Sequence, residues 1–206
     1  MFTQLIQFGK RHIRSLSIAG SIFLALLLLL TGIAYNRAQL SSPDPTYFLR
    51  DRHGMFLGEV GAPSEGEYGY WLLEAVPQRI AAATLAVEDR RFWSHPGVDA
   101  LAIARAMYQN ATRLKRSSGA STIAMQIARM QNPGVRSYLR KAAEAMTAFF
   151  MTGRYSREEI LKHYLRIVPY GNRIHGIAYA ARRYFDKPVD DLSWAETAFL
   201  TAIPQA

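Results

Sequence analysis

The pattern of apolar and polar positions divides the chain into three stretches. From Ser15 to Asn36 no residue is charged, and Leu, Ile and Ala dominate. As a helix rising about 1.5 Å per residue this run is roughly 30 Å long, enough to cross a bilayer core. Residues 37–76 read as a linker. Pro43 and Pro45 block regular structure, and two strand-like runs, Thr46–Arg50 and Met55–Val60, flank Asp51-Arg52-His53-Gly54 as a β-hairpin. Gly61 to Gly69 is loop-like.

From Pro77 the period becomes helical. Pro77 suits the first position of a helix running to Glu88. Asp99 can cap a second helix, on which Leu101, Ala104, Tyr108 and Ala111 share a face. Further helices are predicted over Thr122–Met130 and Leu139–Thr152. Ser156 with Glu159, and Ser193 with Glu196, form capping boxes that open two more. The first of these carries an apolar stripe of Ile160, Leu161, Tyr164, Leu165 and Val168, and Pro169 and Gly171 end it. The expected organisation is a tail (1–14), a transmembrane anchor (15–36), a linker with a hairpin (37–76) and a mainly α-helical domain (77–206).

Charge orients the anchor. Lys10, Arg11 and Arg14 precede the apolar run and Arg37 alone follows closely. The positive-inside rule leaves the N-terminus in the cytoplasm and the rest of the chain outside. A cleaved signal peptide is the alternative, with Ala34 and Ala38 as small residues near its end, but the run is long for one. The net charge of +9 points to an anionic partner. Placed outside the cell, that charge argues against nucleic acid. The absence of cysteine excludes disulfides, zinc fingers and thiol nucleophiles.

Three clusters can carry chemistry. In the first, Glu88 and Asp89 end an Ala-rich helix and run into Phe92, Trp93, His95 and Gly97. An acid beside apolar rings is partly desolvated, which suits general-base work, although a solvated helix end is the simpler reading. The second spans Gly119, Ser121, Thr122, Gln126 and Arg129, just after Arg113, Lys115 and Arg116. Small residues there lead into a helix start, whose backbone N–H groups and hydroxyls suit an anion; an ordinary capped helix fits as well. In the third, Arg140, Lys141 and Glu144 share a helix, with Arg140 and Glu144 four residues apart. This is either a routine ion pair or a basic grip on a pyrophosphate.

These residues resemble the motifs of glycosyltransferase family 51, the domain of class A penicillin-binding proteins and of monofunctional peptidoglycan glycosyltransferases. Glu88-Asp89-x-x-Phe92-x-x-His95-x-Gly97 is similar to the first motif, Gly119-x-Ser121-Thr122-Ile123-x-x-Gln126-x-x-Arg129 to the second, and Arg140-Lys141-x-x-Glu144 to the third. Glu159-Ile160-Leu161 through Tyr170-Gly171 resembles the fourth, and Ala195-Glu196 through Pro204-Gln205 the fifth. Met125-Gln126 and Val168-Pro169-Tyr170-Gly171 look most like the 1C type. The sequence departs from the family at several points. Met125 stands for a frequent Gln, Arg129 for Lys, Lys162 for Glu and Arg166 for Asn, while Phe150 and Thr152 replace residues that are often acidic. The chain stops at Ala206 where relatives continue, and it holds no transpeptidase domain; a fragment and a naturally short protein both fit.

The resemblance implies a lysozyme-like helical glycosyltransferase domain that polymerises lipid II on the outer face of a bacterial cytoplasmic membrane. It makes Glu88 the base and Glu144 the second essential acid, near the donor diphosphate. Ser121, Thr122, Gln126, Arg129, Arg140 and Lys141 would bind substrate. Asp89, Phe92, His95, Gly97 and Gly119 would support the Glu88 loop. No cofactor is obligatory, though members often use a divalent cation, Mg or Mn, with the diphosphate; the sequence holds no dedicated metal cluster. Expected partners are lipid II, the growing glycan strand, the membrane and a transpeptidase or other cell-wall synthesis protein. Two alternatives stand beside this reading. One is a catalytically impaired relative acting as a scaffold. The other is a lysozyme-like hydrolase, which would need no basic grip.

Overall fold

The structure, a computed structural model, describes residues 2–60, 67–112 and 120–205. It is mainly helical. Helix α1 runs from Phe2 to Arg37, so the residues expected as a tail continue the same helix as the apolar run. Its Gly20–Arg37 window is long and apolar enough to cross a membrane and is 6% buried. A core helix of that composition would hide its leucines; here Leu24, Leu28 and Leu30 face outward.

Strands β1 (Tyr47–Arg50) and β2 (Phe56–Val60) pair antiparallel, with a register irregularity at Leu49/Arg50. The Asp51 carboxylate closes this hairpin by accepting from the backbone N–H groups of His53 and Met55. Strand β3 (Tyr68–Gly69) pairs parallel with β4 (Ile174–His175), a link no local pattern announced.

The helices follow their caps. They are α2 (Gln78–Glu88), α3 (Ala100–Thr112), α4 (Ile123–Gln131), α5 (Tyr138–Arg154), α6 (Arg157–Ile167), α7 (Ile177–Phe185) and α8 (Trp194–Ala202). Pro77 stands one place earlier than expected, as the cap residue of α2. Asp99 caps α3 through the Ala102 N–H, Thr122 caps α4, and both capping boxes form. Helix α7 carries none of the expected start signals: Gly176, its cap residue, has no side chain to offer. Leu101, Ala104 and Tyr108 share a face of α3, and that face is the outer one: Leu101 and Tyr108 are 60% and 72% exposed, while Ala106 turns inward.

Helix α4 is the centre of the domain. It packs along α5 and α6, and its Ile123, Met125 and Ile127 are fully buried with Phe92, Met151, Ile160, Tyr164 and Leu165. Helix α1 docks its C-terminal end on α5, and α2 packs on α8. Side chains hold the segment after α1 to the domain: Gln131 donates to the Ser41 carbonyl at 2.5 Å, and the Trp71 indole donates to that of Thr46 at 2.7 Å.

Candidate active site

The site begins where α2 stops. Glu88 is the last residue of α2, and Asp89 breaks the helix with φ −157° and ψ 76°. The Asp89 side chain then turns inward and is 7% exposed. It meets His95 Nε2 at 2.9 Å and accepts from the Ile123 N–H at 3.1 Å. One buried carboxylate thus ties the loop after Glu88 to the first turn of α4, where the helix dipole favours negative charge.

Phe92 is wholly buried behind the loop, with Trp93 and His95 edge-on to its ring. Gly97 closes the loop at φ +86°, and a Cβ there would collide with the Ala148 carbonyl of α5. Only glycine meets both demands. Thr122 Oγ1 donates to the Gly97 carbonyl at 2.6 Å.

These contacts favour the capped-helix reading of this segment: the Asp89 carboxylate takes the Ile123 N–H and the Thr122 hydroxyl takes the Met125 N–H. Thr122 is 2% exposed, so both roles of its hydroxyl are used inside the protein. Ser121 beside it is half-buried. Gly119, Arg113, Lys115 and Arg116 lie outside the described residues.

Gln126 is the contact that sequence did not foresee. Its Nε2 donates to Glu88 Oε2 at 2.7 Å, and its Oε1 accepts from the Tyr164 hydroxyl at 3.3 Å. The amide is therefore oriented from both ends and fixes the Glu88 carboxylate. Burial, and then the Glu88 charge, push the Tyr164 phenol well up, with Arg129 opposing. Tyr164 consequently stays a protonated donor. The wholly buried Tyr170 is pushed up too, by burial first.

The third cluster lies on α5, which packs along α4. Arg140 Nε pairs with Glu144 Oε1 at 3.3 Å, and the Arg140 guanidinium rests against Gly134. Lys141 is exposed and Arg129 half-buried. Neither forms an ion pair among the described residues, which leaves two cations for an external anion. Among the described residues no three His, Asp or Glu side chains gather around a common point. Glu144, already paired with Arg140, would hold a divalent cation only together with oxygens brought by the substrate. Cavities of about 330 and 580 Å³ exist elsewhere, but neither is lined by Glu88 or Glu144.

The altered residues of α6 have structural work. Lys162 donates to the Glu74 carbonyl at 2.7 Å, and Arg166 Nε donates to that of Tyr70 at 2.8 Å. Both bind the segment between the hairpin and α2. Arg157, which the sequence reading passed over, donates to the His95 carbonyl and lies 5.7 Å over the Phe92 ring. No spacing signal marks it.

Comparison with known proteins identifies the family. A family described as "Transglycosylase" matches residues 53–206. The chain is 36% identical over 171 residues to penicillin-binding protein 1A of Haemophilus influenzae, covering 82% of this chain and 19% of that protein. It is 36% identical over 146 residues to penicillin-binding protein 1C of Escherichia coli, covering 70% and 19%. It is 32% identical over 158 residues to penicillin-binding protein 4 of Bacillus subtilis, covering 76% and 25%. The chain thus spans a fifth to a quarter of the length of these relatives. With the matched region running from the hairpin through α8 and holding every cluster described above, the chain belongs to the transglycosylase family, glycosyltransferase family 51.

Proposed function

We propose that the chain is an inverting peptidoglycan glycosyltransferase, anchored by α1 and facing outward, that polymerises lipid II into β-1,4-linked glycan strands. The observation that carries this reading is the Glu88 carboxylate fixed by Gln126 beside buried tyrosines. Glu88 takes the proton of the acceptor sugar's 4-hydroxyl as that oxygen attacks the donor's anomeric carbon. The α-linked bond to the polyprenyl pyrophosphate breaks, and the leaving group departs with its electrons. Arg129 and Lys141 are unneutralised and suited to its charge. Glu144, held by Arg140, is positioned near the diphosphate by resemblance to the family. A divalent cation bound with the diphosphate would further offset that charge.

The anchor has a physical reason. Each CH₂ of a polyprenyl chain held in the bilayer is worth about 0.8 kcal/mol, so the enzyme must come to the lipid. The scaffold alternative drew on the changed residues of the fourth motif. The backbone contacts of Lys162 and Arg166 give those changes a folding role instead, which weakens it.

The test is polymerisation of labelled lipid II by detergent-solubilised protein, beside Glu88→Gln. Glycan strands from the parent and none from the variant support the proposal. A folded, lipid II-binding but inert parent overturns it in favour of the scaffold.

A further inference from the structure

At the foot of α1 the anchor and the globular domain form an open cleft of about 580 Å³, within the size range of ligand pockets. Tyr35 lines it from α1, Pro96 from the loop behind Glu88, Phe149, Phe150 and Arg154 from α5, and Arg157 from the first turn of α6. Tyr35 stands edge-on to Phe150 at 5.8 Å, and Arg154 lies 4.9 Å over the Tyr35 ring. The lining is apolar with two cations and no acid.

Two observations ask for an anion. Neither Arg154 nor Arg157 pairs with a carboxylate among the described residues. Arg157 Nη1 is buried without a hydrogen-bond partner, while its Nη2 is used by the His95 carbonyl. A buried guanidinium N–H without an acceptor is costly, so an acceptor is missing from the protein's own atoms. A third observation says where the anion comes from. Tyr35 lies in the last turn of the apolar Gly20–Arg37 window, which sets the cavity at the bilayer surface, where lipid phosphates lie.

We propose that this cavity binds an anionic phospholipid of the surrounding bilayer. Arg154 and Arg157 hold the phosphate, with the planar guanidinium geometry that suits it. The start of one acyl chain lies on Phe149 and Phe150. A zwitterionic lipid gains less, because no acid in the cavity meets its cationic head. The proposal rests on α1 lying in the membrane and not on the transferase chemistry. It has a consequence for the site: Arg157 also supports the His95 carbonyl and covers Phe92. A bound phosphate would steady the loop behind Glu88.

The experiment is native mass spectrometry of the full chain released from detergent, titrated with phosphatidylglycerol or phosphatidylcholine. Four proteins are compared: the parent, Arg154→Gln/Arg157→Gln, the equally charged control Arg182→Gln/Arg183→Gln, and Gly153→Phe. Gly153 lines the cavity, and a Cβ there meets nothing within 4 Å, so phenylalanine occludes the space while keeping both arginines. Parent and control should retain one phosphatidylglycerol in preference to phosphatidylcholine. Retention should fall at least tenfold in the arginine pair and in Gly153→Phe, with helical content unchanged by circular dichroism. Equal retention of the two lipids by the parent, or undiminished retention in these variants, overturns the proposal. Should the arginine pair prove necessary for folding, Gly153→Phe alone decides by the same criterion. Loss of polymerisation with lipid retention intact would strike the transferase reading and leave this one standing.

Discussion

The Gln126 amide nitrogen lies 2.7 Å from the Glu88 carboxylate, joining residues 38 positions apart. Tyr164 completes the line by donating to the Gln126 oxygen. Glu88 is therefore aimed by an amide that is itself aimed, the fixed geometry that the proposed general-base role needs.

Removing the base and removing its support should differ in degree. Glu88→Gln should lower polymerisation by about 10²–10⁴-fold, the usual contribution of general-base catalysis. Gln126→Leu should cost about 10–150-fold in turnover, the worth of one hydrogen bond to a charged group at about 1.5–3 kcal/mol. Both are read from initial rates on labelled lipid II. An inactive Gln126→Leu that still folds would mean that Gln126 meets substrate directly.

Asp89 joins the loop after Glu88 to α4. Asp89→Asn keeps the shape but loses the charge that His95 and the Ile123 N–H both meet. The expected loss is about 1.5–3 kcal/mol of stability, seen as a Tm lower by several degrees. An unchanged melting curve would show that the carboxylate charge is dispensable there.

Two glycines should behave oppositely. Gly97→Ala meets both a left-handed backbone and the Ala148 carbonyl, and should destabilise by more than about 1 kcal/mol. Gly153→Ala sits in α5 with open space around its Cβ, and should stabilise by roughly 0.5–1 kcal/mol. Chemical denaturation of both variants checks the sign.

Acid should act through His163. Burial, and then the Arg166 charge, lower this histidine from 6.5 to about 4. The unfolded chain takes up the proton first, so stability from a neutral His163 is present above pH 6.5 and is lost as pH falls toward about 4. His163→Phe should flatten the Tm profile in that window. A parent and variant with parallel profiles would refute the assignment.

Arg166 binds the Tyr70 carbonyl and reaches Pro43. Arg166→Asn should free that segment, so limited proteolysis near residues 41–46 should quicken. Unchanged cleavage would show that Gln131 and Trp71 hold the segment without it.

Much of this protein is legible in its order of residues, because the deciding forces are local. The capping boxes at Ser156 and Ser193 act across three residues, the Asp51 turn across four, and the membrane-length helix is a property of one uninterrupted apolar run. Resemblance to the family's motifs supplied Glu88 and Glu144 as well. What a local pattern cannot carry is which distant groups meet. The Glu88–Gln126 bond, the Asp89 carboxylate on the Ile123 N–H, the Arg157 guanidinium on the His95 carbonyl and the pairing of Tyr68 with Ile174 all join segments far apart in sequence. Each depends on how distant elements pack, and packing alone decided that the Ile123 N–H at the start of α4 belongs to the Asp89 carboxylate.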